Sequence, residues 1–158
     1  MAPMPKSADA IASNPALRAS ALSEDLSFLL ARSNAISLAA GNAALAEHGL
    51  RARSYSVLLL TTDDARPSQR ELAEFLRLDP SQVVSLVDDL QSRGLVVRRP
   101  DPADRRANVV VATEAGRELA AAAGESARRA EEQVHRQLSP EERLTLTALL
   151  RVLAFPET

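Results

Sequence analysis

The sequence contains no cysteine and no tryptophan, and its only aromatic residues are three Phe and one Tyr. The absence of cysteine excludes disulfides, thiol-based redox sensing and cysteine-ligated zinc. The shortage of aromatic residues leaves Leu, Val and Ala to build the core, and the chain has only five glycines. An Ala-rich, Gly-poor composition of this kind predicts a mainly α-helical protein.

Long apolar runs are also missing. No stretch approaches the ~20 apolar residues that are needed to cross a bilayer. Residues 1–20 are rich in Pro, Ala and Ser and lack the basic start and apolar run of a signal peptide. We therefore expect a cytoplasmic protein with no membrane partner, formed by one domain with helical extensions. Residues 1–20 are predicted to form a partly mobile tail.

Enzyme motifs are absent as well: G-x-S-x-G, the P-loop, G-x-G-x-x-G and H-E-x-x-H do not occur. We therefore expect a protein that is not an enzyme and has no cofactor. His135 lies one helical turn after Glu131 and Glu132, an arrangement that could hold a metal ion. The chain has only two histidines, so a solvated helix face is the favoured interpretation and no metal site is predicted.

The middle of the chain carries two strong helix-start signals. Ser68 and Glu71 form an S-x-x-E capping box, and Asp79-Pro80 places a capping carboxylate directly before a proline. Gly94 ends the second helix. Two short capped helices joined by a brief turn predict a helix-turn-helix. The side chains predicted to be buried are Leu72, Ala73, Phe75, Leu76, Val83, Val84, Leu86, Val87 and Leu90.

A β-hairpin is predicted directly after these helices. In "LVVRRPDPADRRANVVVAT", residues 95–113, two Val-rich runs flank a turn rich in Pro, Asp and Ala. A hairpin that follows a helix-turn-helix makes a winged helix. Four arginines surround its turn, although the chain has a net charge of −2. Residues 66–106 contain eight Arg and seven Asp or Glu, so a contact with a polyanion would be local.

The two ends of the chain predict long helices. One is expected from about Ser23 to His48, another from about Glu114 to Gln137, and a last one after the cap Ser139-Pro140. Their Leu- and Ala-rich stripes are longer than a compact winged helix requires, and a single copy would leave apolar surface exposed. The predicted regions are a helical dimerisation region, 21–50 with 114–158, and a winged helix-turn-helix DNA-binding lobe, 51–113.

This order of elements resembles the MarR family of bacterial transcription regulators. The matching motifs are the L-A of "RELAE", D-P-S-x-V-x-x-L-V-D-x-L with R-G-L-V, and D-x-x-D-R-R followed by T-x-x-G. The resemblance covers roughly residues 24–155 and is densest over 68–116. It implies a homodimeric repressor that binds double-stranded DNA at a pseudo-palindromic operator and is released by a small, often aromatic, effector.

The resemblance also implies which residues meet DNA. Wing residues that would contact DNA or support the turn are Arg98, Arg99, Asp104, Arg105 and Arg106. Recognition-helix residues that would face base edges in the major groove are Ser81, Gln82 and Ser85. Residues that would contact the DNA backbone are Ser68, Gln69 and Arg70.

The wing residues have different expected roles. By the resemblance, Arg106 enters the narrow and strongly negative minor groove. Arg105 would contact phosphate or share that groove, and Asp104 would pair with a nearby Arg to hold the turn. The alternative is a solvated hairpin with weak internal ion pairs. Many relatives have Arg where this chain has Ser85 and Asp89, so the predicted recognition helix is poor in basic side chains.

The effector site is the least defined prediction. In the family, effectors occupy a crevice between the dimer helices and the DNA-binding lobe. The polar residues expected near it are Arg32, Asn34, Asn42, His48, Arg53 and Tyr55. Among these, Arg32, Arg53 and Tyr55 are the candidate ligand contacts, since an Arg with a Tyr could hold a carboxylate, although a surface role is the favoured interpretation for each.

An alternative function follows from the acidic residues of the recognition helix. Asp88 and Asp89 would repel phosphate if they faced it, which makes a winged-helix module that binds a protein and not DNA a second hypothesis. Asp89 can instead pair with Arg93 at i, i+4.

Overall fold

The computed structural model describes residues 14–104 and 106–156. That part of the chain is mainly α-helical with one antiparallel two-stranded hairpin, and the predicted winged helix-turn-helix fold is confirmed. The elements are α1 (Pro15–Arg18), α2 (Leu26–Leu45), α3 (Ala52–Leu60), α4 (Gln69–Leu76), α5 (Pro80–Ser92), β1 (Val96–Pro100), β2 (Asn108–Ala112), α6 (Glu114–Val134) and α7 (Pro140–Ala154). None of these described helices is both long and apolar enough to span a membrane.

The predicted helix caps are present. The Ser68 hydroxyl accepts a hydrogen bond from Glu71 N at 3.2 Å, and the Glu71 carboxylate accepts one from Ser68 N at 2.7 Å. Ser139 and Glu142 repeat this reciprocal pair before α7. Each box satisfies N–H groups that the first turn of a helix leaves without partners. The Asp79 carboxylate caps α5 by accepting a hydrogen bond from Ser81 N.

Residues 14–36 contain α1, a 3-10 turn at Ala21–Glu24 and the first part of α2. The single helix expected from about Ser23 is therefore wrong at its start. The Asp25 carboxylate accepts a hydrogen bond from Phe28 N at 2.7 Å and caps a new helix there. Of the predicted tail, residues 1–13 lie outside the described residues, while Asn14 caps the single-turn helix α1. The large apolar side chains that are exposed in this segment are Leu17, Leu22, Leu26, Leu29, Leu30 and Ile36.

The core of residues 37–156 lies where α3, α4, α5, α6 and the hairpin pack together. Its side chains are aliphatic, as the composition predicts. The largest fully buried ones are Leu45, Leu50, Val57, Leu58, Leu72, Val83, Val87, Leu90, Val96 and Val110. Within α5 the fully buried residues follow the spacing i, i+4, i+7, so only one narrow strip of that helix faces the core.

Two predictions of buried side chains are wrong. Phe75 is 57% exposed and Val84 is 40% exposed. Both lie at the margin of a helix whose buried strip is narrower than the apolar pattern suggests. Phe75 packs against Phe155, which follows α7, with the ring centroids 5.8 Å apart.

The wing is attached to the helices on both sides. Its strands pair in antiparallel register from Val96 opposite Ala112 to Pro100 opposite Asn108. On the other edge of β2, Val110 N donates to Pro67 O at 2.8 Å and Ala112 N donates to Thr61 O at 2.9 Å. The base of the wing is therefore fixed to the segment that leads into α4.

The junction between the wing and α6 depends on the T-x-x-G motif. The Thr113 side chain caps α6 by accepting from Gly116 N at 3.0 Å, and Thr113 N donates to Leu95 O at 3.0 Å. A Cβ atom added at Gly116 would lie 2.0 Å from that same Leu95 oxygen. Only a glycine permits this approach of α6 to the start of β1.

Candidate nucleic-acid interface

The tip of the wing is held by backbone hydrogen bonds to two carboxylates. Asp101 accepts from Ala103 N at 2.8 Å, and Asp104 accepts from Arg106 N at 3.0 Å. Side-chain acceptors two residues before their donors are a standard way of building a tight turn. We expected Asp104 to pair with an arginine side chain, and the structure places its carboxylate on the Arg106 backbone. Arg105 lies outside the described residues.

Two guanidinium groups of the hairpin face solvent. Arg99, in the second half of β1, is exposed, and so is Arg106, which begins the return from the turn toward β2. No ion pair or side-chain hydrogen bond of either arginine occurs among the residues that the structure describes. Both positive charges are therefore available to an external anion.

Unlike Arg99, Arg98 is hydrogen-bonded to the neighbouring helices. Its guanidinium donates from Nε to Gln69 Oε1 at 2.6 Å, from Nη1 to Gln91 Oε1 at 3.0 Å, and from Nη2 to the Asp88 carboxylate. The side chain is only 26% exposed. Its donors are directed at α4 and α5, and the expectation that Arg98 contacts DNA stays a prediction.

The first turn of α5 carries the predicted base-facing residues. Ser81 donates its N–H, at 2.8 Å, and its hydroxyl to the Asp79 carboxylate, and these hydrogen bonds lower the pKa of Asp79. The Ser85 hydroxyl donates to Ser81 O at 3.1 Å. Both hydroxyl protons are thus used inside the helix, which leaves their oxygens as acceptors. The Gln82 side chain is exposed and forms no hydrogen bond within the described part of the chain, so its amide can still donate and accept.

The start of α4 lies beside the root of the wing. Ser68 forms an isolated bridge with Val109 of β2 and is half-buried together with Gln69. Arg70 is 86% exposed and pairs with Glu74 at 2.8 Å. An exposed pair of this type contributes little and exchanges readily for another anion. Of the three residues predicted to contact the DNA backbone, Gln69 is thus occupied by Arg98, while Arg70 remains accessible.

The acidic residues of α5 are both paired. Asp88 binds Arg98, and Asp89 lies 3.5 Å from Arg93, as predicted. Arg93 also donates to Gly49 O at 2.9 Å and to His48 O at 3.4 Å. Sequence reasoning missed this second contact, because its partners lie more than forty residues earlier in the chain. It links the last turn of the recognition helix to the segment between α2 and α3.

Two of the three predicted effector residues, Arg53 and Tyr55, lie in the first half of α3. Arg53 is exposed and Tyr55 is half-buried, and burial raises the pKa of the Tyr55 hydroxyl. No hydrogen bond joins them within the described ranges. Arg32 belongs to the separate segment 14–36, where it is exposed.

A concave surface lies between the end of α2 and the start of α3. It has a volume of about 370 Å³ and is lined by Asn42, Ala43, Ala46, Gly49, Leu50 and Arg51. Asn42 was among the polar residues expected near the crevice, and its Oδ1 accepts from Ala52 N at 2.8 Å. Arg51 was not predicted, since a sequence pattern does not show which turn residues line a cavity.

The two histidines are bound to serines. His48 Nε2 lies 3.0 Å from the buried Ser126 hydroxyl, which also donates to Glu47 at 2.8 Å and accepts from Arg129 at 3.1 Å. His135 Nε2 lies 3.2 Å from Ser37 Oγ. In the described residues, no three side chains of His, Cys, Asp or Glu are arranged to hold a metal ion.

Comparison with known proteins gives the same family as the motifs. The family model described as the MarR family matches residues 48–107. A transcriptional regulator of that family from Rhodococcus sp. RHA1 is 41% identical, with 87% of this chain and 99% of that chain covered and a TM-score of 0.81. CouR from Rhodococcus jostii RHA1, solved with p-coumaroyl-CoA bound, is 43% identical, with 87% and 97% covered and a TM-score of 0.80.

Curated relatives match over a shorter region. The HTH-type transcriptional repressor NicR of Pseudomonas putida is 34% identical over 97 residues, which are 61% of this chain and 61% of NicR. The chain thus spans about three fifths of the length of the curated relatives that it matches. The relatives named here are transcriptional regulators and not enzymes. Together with the winged helix-turn-helix and its arginine-bearing hairpin, these similarities establish that the chain belongs to the MarR family of transcriptional regulators.

Proposed function

We propose that the protein is a homodimeric, sequence-specific DNA-binding repressor whose release from DNA is controlled by a small effector. The observation that carries the proposal is the position of Arg106. Its guanidinium is exposed, while its backbone is fixed by Asp104 in a hairpin whose base is bound to the helical core. A cation on a stiff support enters the minor groove with little loss of conformational entropy.

The recognition helix supplies the second part of the proposed interface. Gln82 can bridge N6 and N7 of an adenine in the major groove, and the acceptor oxygens of Ser81 and Ser85 can receive base amino groups. Ser68 and Arg70 lie at the N-terminus of α4, where phosphate contacts fix the register of the protein, whereas Gln69 is held by Arg98. Arg99 and Arg105 would add phosphate contacts beside Arg106.

Dimerisation is supported by the apolar surface of α7. Its exposed leucines are Leu144, Leu146, Leu149, Leu150 and Leu153, and Val152 is 70% exposed. No residue of this helix is buried. Exposed apolar area of this extent indicates an interface, and a second copy of this chain would place two recognition helices about one DNA turn apart. We therefore assign dimerisation to residues 21–50 and 114–158 and DNA binding to residues 51–113.

We propose an aromatic acyl-CoA thioester as the effector class, because CouR is 43% identical and was solved with p-coumaroyl-CoA. The concave surface beside Arg51 is within the volume range of small-molecule sites. The effector would favour a dimer in which the two recognition helices are wrongly spaced for the operator, so the population shifts away from DNA.

Asp88 and Asp89 were the reason to consider a module that binds a protein and not DNA, and their pairing removes that reason. Asp88 and Asp89 are each paired with an arginine of the same lobe. They therefore present little uncompensated negative charge to a phosphate backbone, and DNA is the partner that the exposed arginines fit.

The test is a DNA-binding titration with the duplex that lies upstream of the gene. Fluorescence anisotropy is measured for the wild type and Arg106→Ala over a series of salt concentrations. We expect a sharp loss of affinity and a salt slope reduced by about one. Arg18→Ala removes the same charge from an exposed site in α1, outside both assigned regions, and should leave both the affinity and the salt slope unchanged. Wild-type affinity in Arg106→Ala would refute the wing assignment, and no binding by the wild type at low salt would refute DNA binding.

A further inference from the structure

Arg98 joins three elements of the DNA-binding lobe at one point. It is the third residue of β1, opposite Val110 of β2. Each of its three guanidinium nitrogens donates to a different side chain, and the acceptors belong to two different helices. Gln69 is the first residue of α4, while Asp88 and Gln91 are one turn apart on α5.

The chemistry of the guanidinium makes this a rigid junction. Its donors have a fixed planar arrangement, so three simultaneous hydrogen bonds define both the position and the orientation of the group. Because the guanidinium is charged, all three hydrogen bonds are charge-assisted and stronger than neutral ones, and the bond to Asp88 is also an ion pair. The side chain is 26% exposed, so water competes for these acceptors less than it would at an open surface.

This junction lies between the two parts of the lobe that would contact DNA, the wing tip and the start of α5. β1 continues from Arg98 into Arg99 and the wing tip, and α5 begins with the residues that face the major groove. We propose that Arg98 is a positioning residue that fixes the angle of the wing relative to α4 and α5, and so determines DNA affinity without contacting DNA. This inference rests on the DNA-binding function proposed above.

A loosened wing would weaken binding for an entropic reason. The hairpin and the recognition helix must engage adjacent grooves in one binding event. If the hairpin is free to pivot, its orientation has to be ordered when DNA binds, and that ordering opposes association. We expect a loss of about tenfold in affinity when the three hydrogen bonds are removed, which corresponds to roughly 1.4 kcal/mol.

The test separates positioning from direct contact by the salt slope. DNA affinity is measured for Arg98→Ala and Arg98→Lys under the conditions used for Arg106→Ala. We expect both variants to lose about tenfold in affinity with an unchanged slope, because lysine retains the charge but cannot span three acceptors. If Arg98 contacted phosphate, alanine would reduce the slope by about one and lysine would restore the affinity. That result would overturn the inference.

Asp88→Ala provides an independent test, because charge repulsion and the positioning of Arg98 predict opposite changes in DNA affinity. If Asp88 acted only as a negative charge near DNA, its removal would raise affinity. As the partner of Arg98, its removal should lower affinity, and combination with Arg98→Ala should be less than additive. An increase in affinity, or full additivity, would contradict the inference.

A third measurement distinguishes local positioning from general loss of structure. Hydrogen exchange should accelerate at the amides of β1 and β2 in Arg98→Ala, while the helical core keeps its protection. Gln69→Ala removes one of the three bonds and serves as the milder variant if Arg98→Ala does not fold. Failure of the wild type to bind DNA would refute the function itself, whereas wild-type affinity in both Arg98→Ala and Gln69→Ala would refute only the role of Arg98.

Discussion

Gly116 lies in the first turn of α6 against the backbone of Leu95, and its replacement gives a sharp test of how the wing is attached. A Cβ at this position would lie 2.0 Å from Leu95 O, 3.0 Å from Leu95 C and 3.4 Å from Leu58 Cδ1. Even close carbon–oxygen contacts are about 3.3 Å. The backbone of α6 or of β1 must therefore move in Gly116→Ala, and no change of side-chain rotamer can relieve the clash.

The magnitude follows from three contributions. Overpacking in a closely packed region costs about 1–3 kcal/mol. Displacement of Leu95 O also weakens its hydrogen bonds from Thr113 N at 3.0 Å and Thr113 Oγ1 at 3.2 Å, and a weakened cap costs about 1 kcal/mol. Alanine offsets roughly 0.5–1 kcal/mol of this through its higher helix propensity. We expect a net destabilisation of about 2–3 kcal/mol and a Tm lowered by about 5–10 °C.

Gly41 offers a matched control in the interior of α2. Among the described residues of this chain, a Cβ there meets no atom within 4 Å, so Gly41→Ala should raise the free energy of unfolding by about 0.5–1 kcal/mol. Urea denaturation followed by circular dichroism would measure both variants at one fixed protein concentration, since dimerisation contributes to apparent stability. Equal stability of Gly116→Ala and the wild type would refute the close approach of α6 to β1.

Three further predictions follow from other local features. Arg77 has φ +54° at the end of α4, so Arg77→Gly should raise the free energy of unfolding by about 1 kcal/mol; a decrease would contradict the assigned strain. Hydrogen bonds from Ser68 lower the pKa of Glu71, so their stabilisation is present above the usual carboxyl pKa and is lost as the pH falls through the lowered value. Ser68→Ala should cost about 1 kcal/mol through the lost cap to Glu71 N, which does not titrate, and this cost should grow as Glu71 ionises and accepts a hydrogen bond from the Ser68 hydroxyl. A difference between variant and wild type that is the same at pH 2 and at neutral pH would refute the pH-dependent part. Leu149→Glu should convert a dimer to a monomer in analytical ultracentrifugation while Thr147→Glu should not, and a dimer in both would exclude this face of α7.

The local signals of the sequence predicted the winged helix well. Ser68, Asp79, Thr113 and Ser139 each begin a helix in the structure, because a cap depends on residues within one turn. The hairpin follows from its Val-rich strands and from the turn between them. These features need no knowledge of distant parts of the chain, so the order of the elements could be derived before the packing was known.

What the sequence did not predict depends on how distant residues pack together. Arg98 has the same side chain as Arg99, yet only its tertiary neighbours show that its donors are occupied, and Gln69 is 29 residues away. Phe75 is exposed because the strip of α4 that faces the core is narrow, which the 3.6-residue period does not reveal. The cavity beside Arg51 arises from a turn between two helices, and a sequence pattern does not define its walls.

Gly49 has two neighbours of different kinds. It accepts a hydrogen bond from Arg93, at the end of the recognition helix, at 2.9 Å, and Gly49 also lines the cavity of about 370 Å³. A molecule that enters the cavity and rotates this peptide plane necessarily stretches or shortens the bond to Arg93. Under the function proposed above, a change in that wall would reach the end of α5 through a single hydrogen bond.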